Sequence, residues 1–213
     1  MLKSKLVGII ILILLIGGCQ SRPSTRYELG NLLLDEDFSA AFDWDERTSG
    51  AVEIGIADDA YRIRADVNQY VRGFNATTYE NIVIEVETLQ RTADEDNAYG
   101  VVCRASAGED NASGYYFLIG GDGSYSIRKG RDDIDALVSW ARSDVINRGA
   151  GSNTIRAVCM GDYLALYVNG EFIADAHDNT YRGGFVGFVA AAAEGTIVEI
   201  AFDNLRIWEA TAK

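Results

Sequence analysis

From about residue 50 to the C-terminus, apolar and polar positions alternate with a period of two, in short runs cut by glycine-containing turns. Three hairpins are explicit. Gly121-Asp122-Gly123 separates the run 115–119 from 124–128, and Gly161-Asp162 separates 154–159 from 163–168. Asn169-Gly170 then turns the chain into 171–174, and an Asn-Gly pair accepts the positive φ that a type I′ turn needs at both central positions. Further strands are predicted at 51–57, 60–66, 81–90, 98–105, 136–141, 184–192 and 196–208. In one of them Ile82, Ile84 and Val86 alternate with Val83, Glu85 and Glu87, giving one apolar and one mixed face. No segment carries a long helical period with caps, and 142–148 reads as a short loop. About a dozen strands joined by glycine-rich turns predict an all-β antiparallel sandwich in one domain.

The amino terminus follows a different pattern. Lys3 and Lys5 precede an apolar run, Leu6 to Ile16, interrupted only by Gly8. That run is too short for a spanning helix of about 20 residues and suits the apolar core of a signal peptide. Ile16-Gly17-Gly18-Cys19 directly after it resembles the bacterial lipobox. The resemblance implies cleavage before Cys19 and lipid on that cysteine; an ordinary signal peptide or an anchor helix is the alternative. Two or three acyl chains, at about 0.8 kcal/mol per buried CH₂, hold a protein on a bilayer without a spanning helix. The expected organisation is a signal segment at 1–18, lipidated cysteine and tether at 19–33, and the sandwich at 34–209. The expected location is the extracytoplasmic face of a cell membrane.

Composition narrows the function classes. The chain has 213 residues, 19 basic and 32 acidic, for a formal charge of −13. The signal segment removes two lysines and no acid, so the remainder is more acidic still. An acidic surplus argues against nucleic acid as a partner. One histidine makes a histidine-based zinc site or a Ser-His-Asp triad improbable. With Cys19 assigned to lipid, Cys103 and Cys159 remain, both in apolar strand-like runs. An even pair in an oxidising compartment reads as a disulfide, with two buried thiols as the alternative.

A family resemblance rests on Gly184-Phe185-Val186-Gly187-Phe188-Val189, on 198–207, on Leu164-Ala165-Leu166-Tyr167-Val168-Asn169-Gly170, and on Asp37-Phe38, Trp44 and Tyr61-Arg62-Ile63. These segments resemble concanavalin A-like jelly rolls, which include LamG-type modules and 3-keto-disaccharide hydrolase domains. The resemblance implies a jelly-roll sandwich that binds or cleaves glycans. It does not choose between these activities. The Glu-x-Asp-x-x-Glu strand of laminarinase-like jelly rolls is absent, and Glu85 and Glu87 read as a solvated strand face, so no catalytic residue is assigned. For glycan binding the candidates are Arg104, Tyr116, Lys129 and Trp140, placed together on a concave sheet. Arg104 is set opposite Cys103 by strand alternation. No cofactor is required. Calcium is an option at Asp94-Glu95-Asp96-Asn97 or Glu109-Asp110-Asn111, whose oxygens suit a hard cation. The expected function is non-catalytic binding of a glycan or another surface ligand. A glycoside hydrolase and an envelope module for protein contacts are the alternatives.

Overall fold

The computed structural model describes residues 26–213 apart from 41–42, 107–112 and 132. The signal segment, Cys19 and the acidic run at 109–111 lie outside the described residues. Fifteen strands and no helix occur among the described residues. They run β1 (Tyr27–Glu36), β2 (Arg47–Ser49), β3 (Val52–Ile56), β4 (Tyr61–Ala65), β5 (Val71–Tyr79), β6 (Ile82–Gln90), β7 (Asn97–Ala105) and β8 (Gly114–Ile119). They continue as β9 (Ser124–Gly130), β10 (Ile134–Arg142), β11 (Ser152–Met160), β12 (Tyr163–Val168), β13 (Glu171–His177), β14 (Gly184–Ala192) and β15 (Val198–Ala212).

Two antiparallel sheets face each other. The larger has the order β13-β12-β11-β6-β15-β4-β3-β2, with β1 also on β15; the smaller has the order β10-β9-β8-β7-β14-β5. The long β15 serves two neighbours in turn, β4 through 198–202 and β1 through 205–212. The three predicted hairpins form. Asn169 and Gly170 both take positive φ, 51° and 84°, as the turn between β12 and β13 requires.

The core lies between the sheets. The apolar positions of β6 (Ile82, Ile84, Val86) and β11 (Ile155, Ala157, Cys159) face Val101, Cys103 and Phe117 of the smaller sheet. At its centre, Phe188 stacks on Phe202 at 4.3 Å between ring centroids and on Trp44 at 5.0 Å. Such pairs add about 0.5–1.5 kcal/mol each beyond burial. Cys103 and Cys159 form a disulfide that joins β7 of one sheet to β11 of the other.

Three strands carry no clear sequence signal: the three-residue β2, β5 and β1. In β5 alternate inward positions are Val71, Gly73 and Asn75, which hides the apolar period. Gly73 is required because a Cβ there would collide with the Tyr61 hydroxyl. In β1 the run Leu32-Leu33-Leu34 breaks alternation, and two register shifts against β15 accommodate it. The sandwich therefore begins at Tyr27 rather than at 34, and residues 27–33 belong to the sheet instead of the tether. Tyr27 is buried on the outer face of the larger sheet, packed with Val83, Val158, Ala165 and Tyr167. The chain thus enters the domain on that side.

Candidate ligand-binding cleft

The outer face of the smaller sheet is not an open concave platform. Its middle is filled by Val102, Tyr116, Leu118 and Val189, with Tyr70, Phe74, Ile134 and Phe185 packed against them. The open space lies at one end, where β7 and β9 begin and β10 and β14 finish. There a cleft of about 640 Å³ is lined by Trp140 and Tyr70, by Glu95, Asp96, Asp122 and Glu194, and by Arg142. This volume falls within the range of small-molecule sites.

Each wall has a local cause. Trp140 points outward beside Ala141, whose partner Tyr125 packs against the core. Two register shifts on β10, between Ala136 and Val138 and between Val138 and Ala141, each add one residue against β9. Val138 therefore turns inward, and Trp140 returns to the outer side that Ile134 and Ala136 occupy. The indole is 42% exposed, the largest aromatic exposure among the described residues. Beneath it, Ala98 and Ala191 keep the floor low. The loop 91–96 is pinned from behind by Gln90, whose side-chain amide donates to the carbonyls of Thr92 and Asp94 at 2.9 and 2.7 Å. That fixes the backbone carrying Glu95 and Asp96. Asp122 sits in the turn before β9, accepts from the Ser124 amide at 2.9 Å and is bridged by Arg142 at 2.7 Å. Burial pushes its pKa up, but the Ser124 hydrogen bonds and the guanidinium outweigh it and hold the carboxyl below its usual range. Four carboxylates against one guanidinium make the cleft electronegative. Its acceptors suit hydroxyl donors, and its two aromatic faces suit the apolar face of a sugar ring.

The four residues chosen from sequence do not meet. Only Trp140 lines the cleft. Arg104 is at the opposite end and buried, 2% exposed. Its Nε donates to the Glu80 carbonyl at 3.0 Å, and its Nη1 to the carbonyls of Gly161 and Tyr181 at 2.7 and 2.9 Å. A bulge explains the error. Arg104 has φ 53°, and three steps from Val102 to Ala105 match two from Gly187 to Phe185, so alternation from Cys103 fails. Lys129 is also at that end, donating to Asp178 at 2.7 Å and to Thr180 at 3.2 Å. Tyr116 does face outward but is fully covered in the filled middle, and its hydroxyl accepts from Arg72 at 3.2 Å. Glu85, on the outer face of the larger sheet, is engaged by Arg156. Among the described residues, no group of three or more His, Cys, Asp or Glu side chains is set to hold a metal ion. The Asp94 carboxylate accepts from the Asp96 amide instead.

No protein-family model and no curated protein matches the chain. Solved structures do. A carbohydrate-binding module, CBM66, from Bacillus subtilis is 13% identical with a TM-score of 0.60, covering 87% of this chain and 96% of that one. A Bacillus subtilis protein with a galectin-like fold is 14% identical, TM-score 0.66, covering 88% and 100%. A Bacillus licheniformis beta-glucanase is 10% identical, TM-score 0.61, covering 85% and 99%. At these identities the likeness establishes the fold alone, a jelly-roll β-sandwich of the kind those structures share. The identity of any ligand does not follow from it.

Proposed function

We propose that this chain is a glycan-binding protein of the cell envelope whose ligand lies in the cleft beneath Trp140, and that it is tethered through a lipid on Cys19. The observation that carries the binding reading is a half-exposed indole on the outer face of the smaller sheet over a 640 Å³ cleft lined with carboxylates. An indole face open beside a cleft rich in hydrogen-bond acceptors is the combination that stacks on a sugar ring while bonding its hydroxyls. Structural neighbours that include a carbohydrate-binding module agree with this reading.

The tether rests on Lys3, Lys5, the apolar run Leu6 to Ile16 and the lipobox-like Ile16-Gly17-Gly18-Cys19. With Tyr27 packed on the outer face of the larger sheet and the cleft on the outer face of the smaller, the sandwich stands between them. A chain anchored just upstream of Tyr27 presents its cleft away from the bilayer. Seven residues, 20–26, span at most about 25 Å, which keeps the domain close to the surface.

Glycan-array binding that disappears in Trp140→Ala while thermal stability is retained supports the binding reading; an array without hits refutes it. A hydrolase is the second reading, favoured by Glu95, Asp96, Asp122 and Glu194 lining one cleft. Sugar release from an oligosaccharide panel, lost in Glu95→Gln or Glu194→Gln, would establish it. For the tether, Cys19→Ala should leave the membrane fraction and take up no labelled acyl chain. Retention of that variant in membranes would point to a different anchor.

A further inference from the structure

A second cleft meets the first at Tyr70. It has a volume of about 300 Å³, runs along β5, and is lined by Asp45, Glu46, Arg47, Tyr70, Arg72 and Phe74. Tyr70 is therefore a wall of both spaces. That wall is braced from within: the Tyr70 ring lies 6.1 Å from the ring of buried Tyr116, and Arg72 bonds the Tyr116 hydroxyl while its guanidinium sits 5.8 Å from the Phe74 ring. The far wall is fixed as well. The Asp45 amide donates to the Phe74 carbonyl at 3.0 Å, and the Phe74 amide donates to the Asp45 carboxylate at 3.0 Å, so the segment before β2 is held along β5.

Trp140 stands on β10 and Phe74 on β5, the two edges of the six-stranded sheet. Five inter-strand gaps of about 4.8 Å separate them by about 24 Å, which is more than a disaccharide can span. The two spaces also differ in charge. The first sets four carboxylates against Arg142, whereas the second balances Asp45 and Glu46 with Arg47 and Arg72.

Building on the glycan-binding reading, we propose that the two clefts form one extended site. Its ligand is an oligosaccharide chain several units long that bends past Tyr70, with Trp140 stacking on one segment and Phe74 on another. A site walled by aromatics at two points along a chain gains affinity with each segment engaged, because the second contact is intramolecular once the first is made. Free monosaccharides and disaccharides occupy only the Trp140 arm.

The test is calorimetric titration of the full chain in detergent with gluco-, manno- and xylo-oligosaccharides of two and six units. The extended site predicts at least tenfold tighter binding of the six-unit chain of whichever series binds. It predicts that Phe74→Ala removes that gain and leaves two-unit affinity unchanged, while Trp140→Ala weakens both lengths. Phe74 also packs in the filled middle of the sheet, so Glu46→Arg, an exposed substitution that narrows the second cleft, serves as a second variant with the same expected pattern. Equal affinity for two and six units, or equal loss at both lengths in Glu46→Arg and Phe74→Ala, would overturn the extended site while leaving the binding reading standing. No binding at any length would overturn both.

Discussion

The two ends of this sandwich use similar side chains for opposite purposes. At the end where β7 and β11 finish, polar groups turn inward. Arg104 ties the turn before β6, the turn before β12 and Tyr181 together through their backbone carbonyls. Asp178 accepts from Lys129 and from the Tyr115 hydroxyl, and the Tyr181 hydroxyl donates to Gly130. The Cys103–Cys159 disulfide closes the same end. At the other end Trp140, Arg142, Glu95 and Glu194 face a cleft. An arginine and an aromatic thus signify nothing alone. What separates a structural cation from a binding one is whether its donors are consumed by carbonyls of the same chain. On the proposed reading the first end serves stability and the second recognition, and substitutions can break that division.

The largest effect belongs to the disulfide. It links residues 56 apart, and the chain-entropy model gives about 4 kcal/mol for a loop of that size. The double variant Cys103→Ala/Cys159→Ala should lower the calorimetric Tm strongly while leaving ligand affinity intact well below that temperature. Next comes Arg104→Met. Three carbonyls lose their donor, at a cost of about 3 kcal/mol in denaturant unfolding. A variant as stable as the parent would show that Arg104 is not a clamp.

A smaller effect is expected in acid. Burial pushes the Asp178 pKa up, but hydrogen bonds from Lys129, Tyr115 and Thr180 outweigh it and hold the carboxyl well below the usual range. A depressed carboxyl stabilises the fold above its unfolded pKa, near 3.9 for aspartate, and that contribution fades as pH falls below it. Unfolding followed from pH 6 to pH 2 should therefore show a steeper loss in the parent than in Asp178→Asn. Tyr115 has the opposite sign. Burial and the Asp178 bond raise its pKa to about 12, so its share is complete below pH 10 and is lost as pH rises through 12.

The position and inward face of most strands could be read from period-two alternation, and the hairpins from their turn residues, because both are local. Arg104 and Val138 were not readable in that way. Alternation places Arg104 opposite Cys103, but one bulge adds a residue in β7 and cancels the rule there. In β10 two shifts turn Val138 inward and then restore Trp140 to the outer side of Ala136. Cross-strand register creates those bulges, and no single strand encodes it. Tyr116 obeys alternation, yet its burial depends on Tyr70, just before β5, and Phe74 within it, a segment with little apolar period. Glu95 and Asp96 were visible only as an acidic loop; the pinning by Gln90 that holds that loop at the cleft is a tertiary fact.

The most direct test is titration of the Trp140→Ala protein with the oligosaccharide that the parent binds, alongside its thermal unfolding. The account predicts at least a tenfold loss of affinity, about 1.4 kcal/mol, with the unfolding midpoint unchanged. Unchanged affinity in a stably folded Trp140→Ala protein would contradict it.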